Sequence, residues 1–326
     1  MQYNKTILKN GIRLITVPIK GSMTTTVSIM ANVGARYENE NNNGISHFLE
    51  HLQFKGTEKL TSKDITLKLD ELGADYNAFT NYETTGYWAK TENKSYKKSL
   101  SILADIYKNS VIPENEIEKE RGVILEEINM YEDNNKAKAY RFFRELMYKN
   151  HQLGRSVLGT KENVKNLTRK DFIEYRNKYY KGKSTTVVVA GDIKTGEVKK
   201  IVEVELGDLD SGKLYIPEKF TKKQTKKKTE ILYKKTDQSH MTLGFKTFGF
   251  KNKNAKTATI LRGVLGAGMS SRLFSKMREE LGICYYCYAV NNYSYESGYM
   301  GIFAGVGNDR VDEAITGILN FSRHKK

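Results

Sequence analysis

The chain has 326 residues, of which 39% are hydrophobic and 28% charged, and its formal net charge is +16. This length predicts two domains, each long enough to bury a core of its own, and the composition excludes wholesale disorder. Two cysteines are too few for a disulfide framework. The amino-terminal segment lacks the apolar stretch of a secretory signal, and no apolar run is long enough to span a bilayer. We therefore expect a cytoplasmic protein without a membrane partner.

The predicted elements of the first half start with a hairpin. Asn10 and Gly11 form a typical turn pair between TILK and IRLITV, and the run TTTVSIMANVG has strand character. An Asn-rich run that suits helix capping then precedes a helix through HFLEH, which ends near Gly56. Further elements follow in the order helix, two strands, three helices, strand and helix: SKDITLKLDELG, DYNAFTN, TTGYWAKT, KSYKKSLSILADIYKN, ENEIEKERGVILEEINMYE, KAYRFFRELMYK, STTVVVAGDI and EVKKIVEVEL.

The second half begins after a change in composition. At residues 209–228 the composition shifts to Gly, Pro and above all Lys, which predicts a linker between a first domain, 1–208, and a second domain, 229–326. The second domain is predicted to contain strands, two helices and again strands: TEILYKKT, MTLGFKTFG, ATILRGVLG, SSRLFSKMREELG, YYCYAV and GYMGIFAGV. Residues 82–87 (YETTGY) are echoed by residues 295–299 (YESGY), which indicates a duplicated domain. Runs of strands and runs of helices predict an α+β fold with mostly antiparallel sheets.

The positive charge raises the alternative of a nucleic-acid-binding protein. Its most concentrated block is residues 221–228, TKKQTKKK. A nucleic-acid surface also needs aromatic stacking residues or a reading helix near the charge, and this block has neither. We interpret the block as a solvated linker and expect no nucleic-acid partner.

Two of the five histidines lie in one short stretch, GISHFLEHLQFKGT. On a helix His47 and His51 are one turn apart, so their rings can converge on one metal ion. Glu50 lies about 60° to one side of His47, from where it can reach a water molecule beside the metal without ligating the metal. The order is H-x-x-E-H, the reverse of the H-E-x-x-H zinc motif. The alternative is an ordinary helix with two incidental histidines beside Phe48 and Leu49.

A catalytic zinc site also needs a third protein ligand. The segment 116–131 predicts a helix with one apolar stripe: Ile117, Ile124, Ile128 and Tyr131. Glu120 lies about 40° and Glu127 about 60° from Ile124, whereas Glu126 lies at about 200° and should face water. Buried carboxylates are costly unless they are paired or bound to metal, so Glu120 or Glu127 is a candidate third ligand. The alternative is that both carboxylates pair with Arg or Lys.

The stretches HFLEHLQFKGT and ERGVILEEI resemble the pitrilysin-type zinc peptidases, in particular the processing-peptidase branch. The similarity runs from KNGIRLITVP through VAGDI and resumes at GMSSRLFSKMREELG. The family spacing implies that Glu127 is the third zinc ligand and that Glu120 is a carboxylate behind the ligands. Gln53 departs from the pattern, since relatives usually carry an apolar residue there, but it is not a ligand position.

The resemblance also implies residues that hold substrate. Asn77 and Ala78 match an edge strand that binds extended peptides, and Phe54 matches a pocket residue, although core packing is an equal alternative for its ring. Arg278 and Tyr285 match an Arg/Tyr pair that reaches the substrate carbonyl and its developing negative charge. Without the family pattern, Arg278 would be interpreted as a surface helix residue.

The two cysteines, Cys284 and Cys287, have C-x-x-C spacing. A strand would direct residues three apart to opposite faces. We therefore interpret them as buried small residues and not as a second metal site.

The sequence thus predicts a zinc-dependent endopeptidase that hydrolyses peptides or unfolded segments held in an enclosed cavity. Zn²⁺ would be bound by His47, His51 and Glu127, with Glu50 as the base. The resemblance allows a homodimer or a related partner subunit. The second domain is short for the family, so we expect it to be incomplete and poorly stable, as in a truncated protein. The alternative function is an inactive truncated paralogue that acts as a binding subunit.

Overall fold

The computed structural model describes residues 2–323 of the chain. The strands are β1 (Asn4–Ile7), β2 (Arg13–Pro18), β3 (Thr24–Ala31), β4 (Asp75–Thr80), β5 (Thr85–Glu92), β6 (Thr185–Gly191), β7 (Gln238–Phe248), β8 (Cys284–Tyr293) and β9 (Ser297–Gly307). The helices are α1 (Ile45–Gln53), α2 (Ser62–Glu71), α3 (Tyr96–Asn109), α4 (Glu114–Asp133), α5 (Asn135–Met147), α6 (Lys161–Asn166), α7 (Arg169–Tyr179), α8 (Thr195–Leu206), α9 (Ala255–Gly266), α10 (Arg272–Phe274) and α11 (Val311–Arg323). Within the described residues, no helix has both the length and the apolarity needed to cross a membrane.

Internal contacts divide the chain into two compact units. The first contains the residues up to Ile128 and the segment Arg155–Pro217, and the second contains Asn129–Gly154 and the residues from Glu218 onward. Helix α5, which the sequence placed in the first domain, packs with β7 and β9 in the second unit. The homologous domains 1–208 and 229–326 stay a prediction, because compact units follow contacts and not ancestry.

The first unit contains a six-stranded sheet with the order β1-β2-β6-β3-β5-β4. Strands β2 and β6 run parallel, and the other neighbours are antiparallel. The predicted turn at Asn10 and Gly11 is confirmed: Gly11 has a φ of 90°, which favours glycine, and β1 pairs with β2. The α+β fold class is confirmed, and β4 forms one edge of the sheet.

Strand β3 shows which face of the sheet covers the core of the first unit, because the burial of its successive side chains alternates. Val27 and Ile29 are fully buried, whereas Ser28 between them is only partly buried. Helix α1 contributes the fully buried Phe48, Leu49 and Leu52 to the same core. Burying each such side chain stabilises the fold by roughly 1.5–3 kcal/mol. This packing fixes the rotation of α1 and therefore the direction in which its polar residues point.

The second unit contains a three-stranded antiparallel sheet with the order β7-β9-β8. The sequence of elements β7, helices, β8, β9 and α11 repeats the sequence β3, helices, β4, β5 and α3 of the first unit. The echoed segments 82–87 and 295–299 both lie at the turn between the last two strands of this repeat. The two units therefore contain sheets of unequal size with the same order of elements.

The predicted strand TEILYKKT is wrong. Residues 229–236 form no strand, and Ile231 and Tyr233 are 89% and 88% exposed. The composition favours a strand, but a strand exists only when its backbone groups are paired. Among the described residues, nothing pairs with this segment in a sheet.

The expectation that Cys284 and Cys287 point to opposite faces is also wrong. Both side chains are buried in the same apolar cluster. The pairing register shifts between Cys284 and Tyr286, so Tyr285 is an extra residue in β8. A β-bulge of this kind resets the alternation of a strand and turns the second cysteine onto the face of the first.

Candidate metal centre

Helix α1 carries three of the predicted site residues. His47 is 8% exposed, and its ring lies edge-on to that of His51, with 4.8 Å between the ring centroids. One helical turn separates the two residues, and the buried apolar face of α1 fixes their common direction. The structure therefore brings the two imidazole groups together, as the i, i+4 spacing predicted.

Helix α4 brings Glu127 to the same place. Ile124 and Ile128 on either side of it in the sequence are buried in the core of the first unit. Oε2 of Glu127 lies 3.5 Å from Nε2 of His47. One possible ligand atom from each of His47, His51 and Glu127 lies within 4.8 Å of the other two. Two imidazole nitrogens and a carboxylate oxygen form a donor set that suits Zn²⁺.

The protonation preferences of these groups test whether a cation fits. Burial, with a smaller effect of His51, lowers the pKa of His47 to about 3, so its ring is neutral. Its buried Nδ1 has no hydrogen-bond partner among the described residues. Burial raises the pKa of Glu127, although His51 opposes this. Because the His47 ring is neutral, its 3.5 Å contact with Glu127 is not a salt bridge. A cation between the two side chains would bind the Nε2 lone pair of His47 and favour the carboxylate form of Glu127.

Glu50 lies beside this cluster and not within it. The Thr80 hydroxyl, at the end of β4, donates to Oε2 of Glu50 over 2.5 Å. Burial raises the pKa of Glu50, and the charge of Glu127 adds to this effect, while Thr80 and His51 oppose it. A carboxyl group with increased proton affinity next to a metal centre suits general acid–base chemistry.

Glu120 connects His51 to a lysine. Oε2 of Glu120 lies 3.0 Å from Nδ1 of His51, and Oε1 lies 2.6 Å from Nζ of Lys55. Burial acts to raise the pKa of Glu120, but hydrogen bonds from Lys55 and His51 outweigh it, and the pKa is lowered. The ionised carboxylate of Glu120 accepts a hydrogen bond from the Nδ1–H group of His51. The lone pair on Nε2 of the same ring is then available to a metal ion.

Replacing Glu120 by Gln should weaken Zn²⁺ binding about 10- to 100-fold, because a neutral amide orients and polarises His51 less well. Competition with a chromogenic chelator measures this affinity. The control is Glu118→Gln on the same helix, since Glu118 is exposed and pairs only with Arg121 among the described residues. Equal affinities of the two variants would contradict this role of Glu120.

The amino terminus of α1 is held by a residue that the sequence did not indicate. Glu38 is 2% exposed, and its carboxylate accepts the backbone N–H groups of Gly44 and Ser46 at 2.8 and 2.9 Å. Burial raises the pKa of Glu38, although these hydrogen bonds oppose it. The expected capping by asparagine is wrong: the N-cap is Gly44, which has a φ of 103° and no side chain, and Asn43 donates to Glu38 instead.

Replacing Glu38 by Ala should lower the free energy of unfolding by at least about 2 kcal/mol, because two buried N–H groups of α1 lose their acceptor. Urea unfolding of the metal-free protein measures the loss. Glu40→Ala provides the control, since the Glu40 side chain is 87% exposed and its surface pair with Arg155 contributes at most about 1 kcal/mol. If both variants lost the same stability, the capping role of Glu38 would be wrong.

The predicted substrate residues of the first unit lie close to α1 in the fold. Asn77 and Ala78 are on the edge strand β4, which packs against α1. The Asn77 side chain accepts the backbone N–H of Ala78 at 2.8 Å. Phe54 is the C-cap of α1, and its ring packs 5.9 Å from that of Tyr87, which agrees with the core-packing alternative.

The other two predicted residues belong to the second unit. Arg278 follows α10 in a π-helical segment, Ser275–Glu280, and donates to the carbonyl of Cys284 over 2.6 Å. Tyr285 is the extra residue of the bulge in β8, and it is 60% exposed. A guanidinium and an exposed phenol are both hydrogen-bond donors.

The chain is similar in sequence to known zinc peptidases. Residues 14–161 match the family model described as insulinase (peptidase family M16), and residues 166–326 match the model described as the peptidase M16 inactive domain. An uncharacterized zinc protease of Rickettsia felis is 34% identical over 313 residues, covering 95% of this chain and 75% of the relative. The mitochondrial-processing peptidase subunit beta of Bos taurus is 33% identical over 307 residues, covering 91% of this chain and 62% of the relative.

Solved structures agree with this result. A protease from Helicobacter pylori superposes with a TM-score of 0.90 at 25% identity, covering 98% of this chain and 79% of that one. A peptidase M16 inactive domain from Pseudomonas fluorescens superposes with a TM-score of 0.91 at 14% identity, which shows the shared fold, and it covers 99% of this chain and 78% of that one. By the identity and coverage of these relatives, the chain belongs to peptidase family M16, the insulinase family.

Proposed function

We propose that this chain is a zinc-dependent endopeptidase. The observation that carries the proposal is the convergence of His47 and His51 from α1 with Glu127 from α4, within 4.8 Å of one another. The family membership and the names of relatives as zinc proteases support Zn²⁺ as the cofactor. In this proposal the three side chains hold the ion, and Glu120 orients His51.

The chemistry divides between the ion and the protein. Bound Zn²⁺ with an open position polarises a carbonyl and lowers the pKa of a water molecule towards about 7. Glu50 takes a proton from the attacking water and then gives it to the leaving amine. Thr80 holds one oxygen of Glu50, so the other oxygen carries the proton. The increased proton affinity of Glu50 suits both steps.

The substrate in this proposal is an extended peptide. Strand β4 is an edge of its sheet, and the backbone around Asn77 and Ala78 can pair with a peptide of any sequence. Phe54 would border the side chain after the cleaved bond. Arg278 and Tyr285 would donate to the substrate carbonyl, by resemblance to the family.

A second candidate function is a non-catalytic partner subunit. It is favoured by the match of residues 166–326 to a model described as an inactive domain, and by relatives named as subunits of a processing peptidase. In that case the chain would bind peptides or a related subunit without cleaving either.

Cleavage of a quenched, unstructured peptide distinguishes these functions. We expect hydrolysis that a zinc chelator abolishes and that one equivalent of Zn²⁺ restores. Peptide binding with bound zinc but no hydrolysis would favour the partner subunit. Salt-sensitive binding of DNA or RNA, with no zinc, would favour the nucleic-acid alternative instead.

A further inference from the structure

The hairpin turn between β4 and β5, residues 81–84, is bound to the segment that follows β3. The backbone N–H of Ala35 donates to the carbonyl of Asn81 at 3.1 Å. The backbone N–H of Arg36 donates to the carbonyl of Tyr82 at 2.8 Å. The Asn81 side chain closes the turn from within, because it accepts two backbone N–H groups of the same turn at 2.8 Å. These hydrogen bonds fix the position of the hairpin relative to β3.

Side chains add two further links between the same segments. Nη1 of Arg36 donates to Oε1 of Glu83 at 2.5 Å, and Arg36 is only 1% exposed. A guanidinium this buried is costly without a carboxylate partner, so the pair keeps Glu83, and with it the turn, in one place. On the β5 side, the buried hydroxyl of Thr85 donates to the carbonyl of Val33 at 3.0 Å. The hairpin is therefore anchored on both of its sides.

Thr80 precedes this turn and contacts Glu50. It is the last residue of β4 and pairs with Thr85 in β5. Its hydroxyl donates to Oε2 of Glu50 at 2.5 Å, and it is the hydrogen-bond partner that the described residues give to this carboxylate. A glutamate has three rotatable side-chain bonds, so its carboxylate would occupy several rotamers without such a partner. One oxygen of Glu50 is thus held by the end of a strand whose neighbouring turn is itself anchored.

Strand β4 is also the sheet edge at which the proposed peptide substrate would pair. Ala78 and Thr80 are two residues apart, so their side chains lie on the same face of β4. A peptide on this edge and the base beside Thr80 would therefore take their positions from one strand. A general base must lie within hydrogen-bond reach of the water molecule that it deprotonates, so a fixed distance between strand and base favours the reaction.

We propose that Thr80 is the positioning residue of Glu50 and that the ion pair of Arg36 with Glu83 acts through Thr80. The hydroxyl of Thr80 holds the carboxylate in one orientation, and the anchored hairpin holds Thr80. The effect on catalysis rests on the proposed peptidase function. The contact itself lies within the first unit, so it can be measured without zinc or substrate.

A double-mutant cycle on the metal-free protein measures the contact without activity. The variants are Thr80→Val, which removes the hydroxyl and keeps the branched shape, Glu50→Ala, and the two combined. We expect Thr80→Val to raise the unfolding equilibrium constant at least about fivefold more when Glu50 is present than in the Glu50→Ala chain. Urea unfolding measures the four constants. Additive effects of the two substitutions would overturn the proposal.

Kinetics of the zinc-loaded protein test the consequence for catalysis. Thr80→Val should keep its zinc and its KM but lower kcat at least about tenfold, because the base is no longer held in one orientation. Thr80→Ser should restore most of kcat, since serine keeps the hydroxyl. Thr66→Val is the matched control, because Thr66 is exposed on α2. Equal kcat values of Thr80→Val and this control would overturn the proposal.

Glu83→Gln tests the indirect role of the ion pair. The neutral amide can still accept a hydrogen bond from Arg36 but attracts the guanidinium less, so this variant should fold and lower kcat severalfold. In the Thr80→Val background the same substitution should cause no further loss of kcat. An equal further loss there would show that Glu83 does not act through Thr80. If the wild type hydrolysed no peptide, the peptidase function would be wrong, and the cycle on the metal-free protein would still decide whether Thr80 holds Glu50.

Discussion

Replacing Glu50 by Gln should leave zinc bound and lower the rate of peptide hydrolysis by at least about 10²–10⁴-fold. The amide keeps the size of the side chain and can still accept the Thr80 hydroxyl, but it cannot take a proton from water. Glu50 also lies outside the cluster of His47, His51 and Glu127, so its loss should not remove a ligand. Zinc content by metal analysis and kcat on an unstructured peptide measure the two effects separately.

Glu71→Gln is the matched control for this variant. Glu71 is also a helical glutamate, but it is exposed on α2. The Glu71→Gln variant should therefore keep both bound zinc and peptidase activity. If Glu50→Gln hydrolysed peptide as fast as the control, the role of Glu50 as base would be wrong. If the Glu50→Gln variant lost its zinc, Glu50 would belong to the ligand set.

The sequence predicted that His47 and His51 lie side by side on α1, because helical periodicity determines that arrangement. His47 and His51 are one turn apart, and the apolar positions of α1 and α4 orient both helices on the core. The same periodicity left Glu120 and Glu127 open as alternatives, since both border the buried face. The structure places Glu127 in the cluster and Glu120 between Lys55 and His51, which are contacts that no helical wheel contains.

The supporting contacts could not be predicted in this way. Glu38 reaches the start of α1 through a loop, Thr80 meets Glu50 across 30 residues of sequence, and Glu120 meets His51 across 69. Each contact depends on how two elements approach in space. A local pattern of residues does not indicate which distant side chains will be in contact. Only a structure or a comparison with family members can identify such contacts.

Two errors have a related physical origin. Tyr131 continues the predicted apolar stripe of α4 but is 44% exposed, because the helix is covered only where another element packs on it. Residues 229–236 have the composition of a strand but no partner among the described residues. Local propensity is a weak determinant at both places, and tertiary contacts decide the outcome.

Replacing His51 by Ala should abolish the binding of about one Zn²⁺ per chain, and His47→Ala or Glu127→Ala should do the same. Removing any one of three protein ligands removes a large part of the free energy of zinc binding. The two ligands that remain are too few for a tetrahedral zinc site. Metal analysis after dialysis against a weak chelator measures the stoichiometry. Glu126→Ala is the matched control, because Glu126 neighbours Glu127 on α4 but its side chain is exposed.

Stability provides a second readout that does not require activity. A ligand that binds only the folded state stabilises it by about 2.7 kcal/mol at a free concentration of 100 times Kd. Zinc should therefore raise the unfolding midpoint of the wild type and of Glu126→Ala, but not that of His51→Ala. A His51→Ala protein that kept full zinc occupancy and the zinc-dependent shift would show that the ion binds elsewhere. The metal centre of α1 and α4 would then be wrong, whatever the peptidase assay showed.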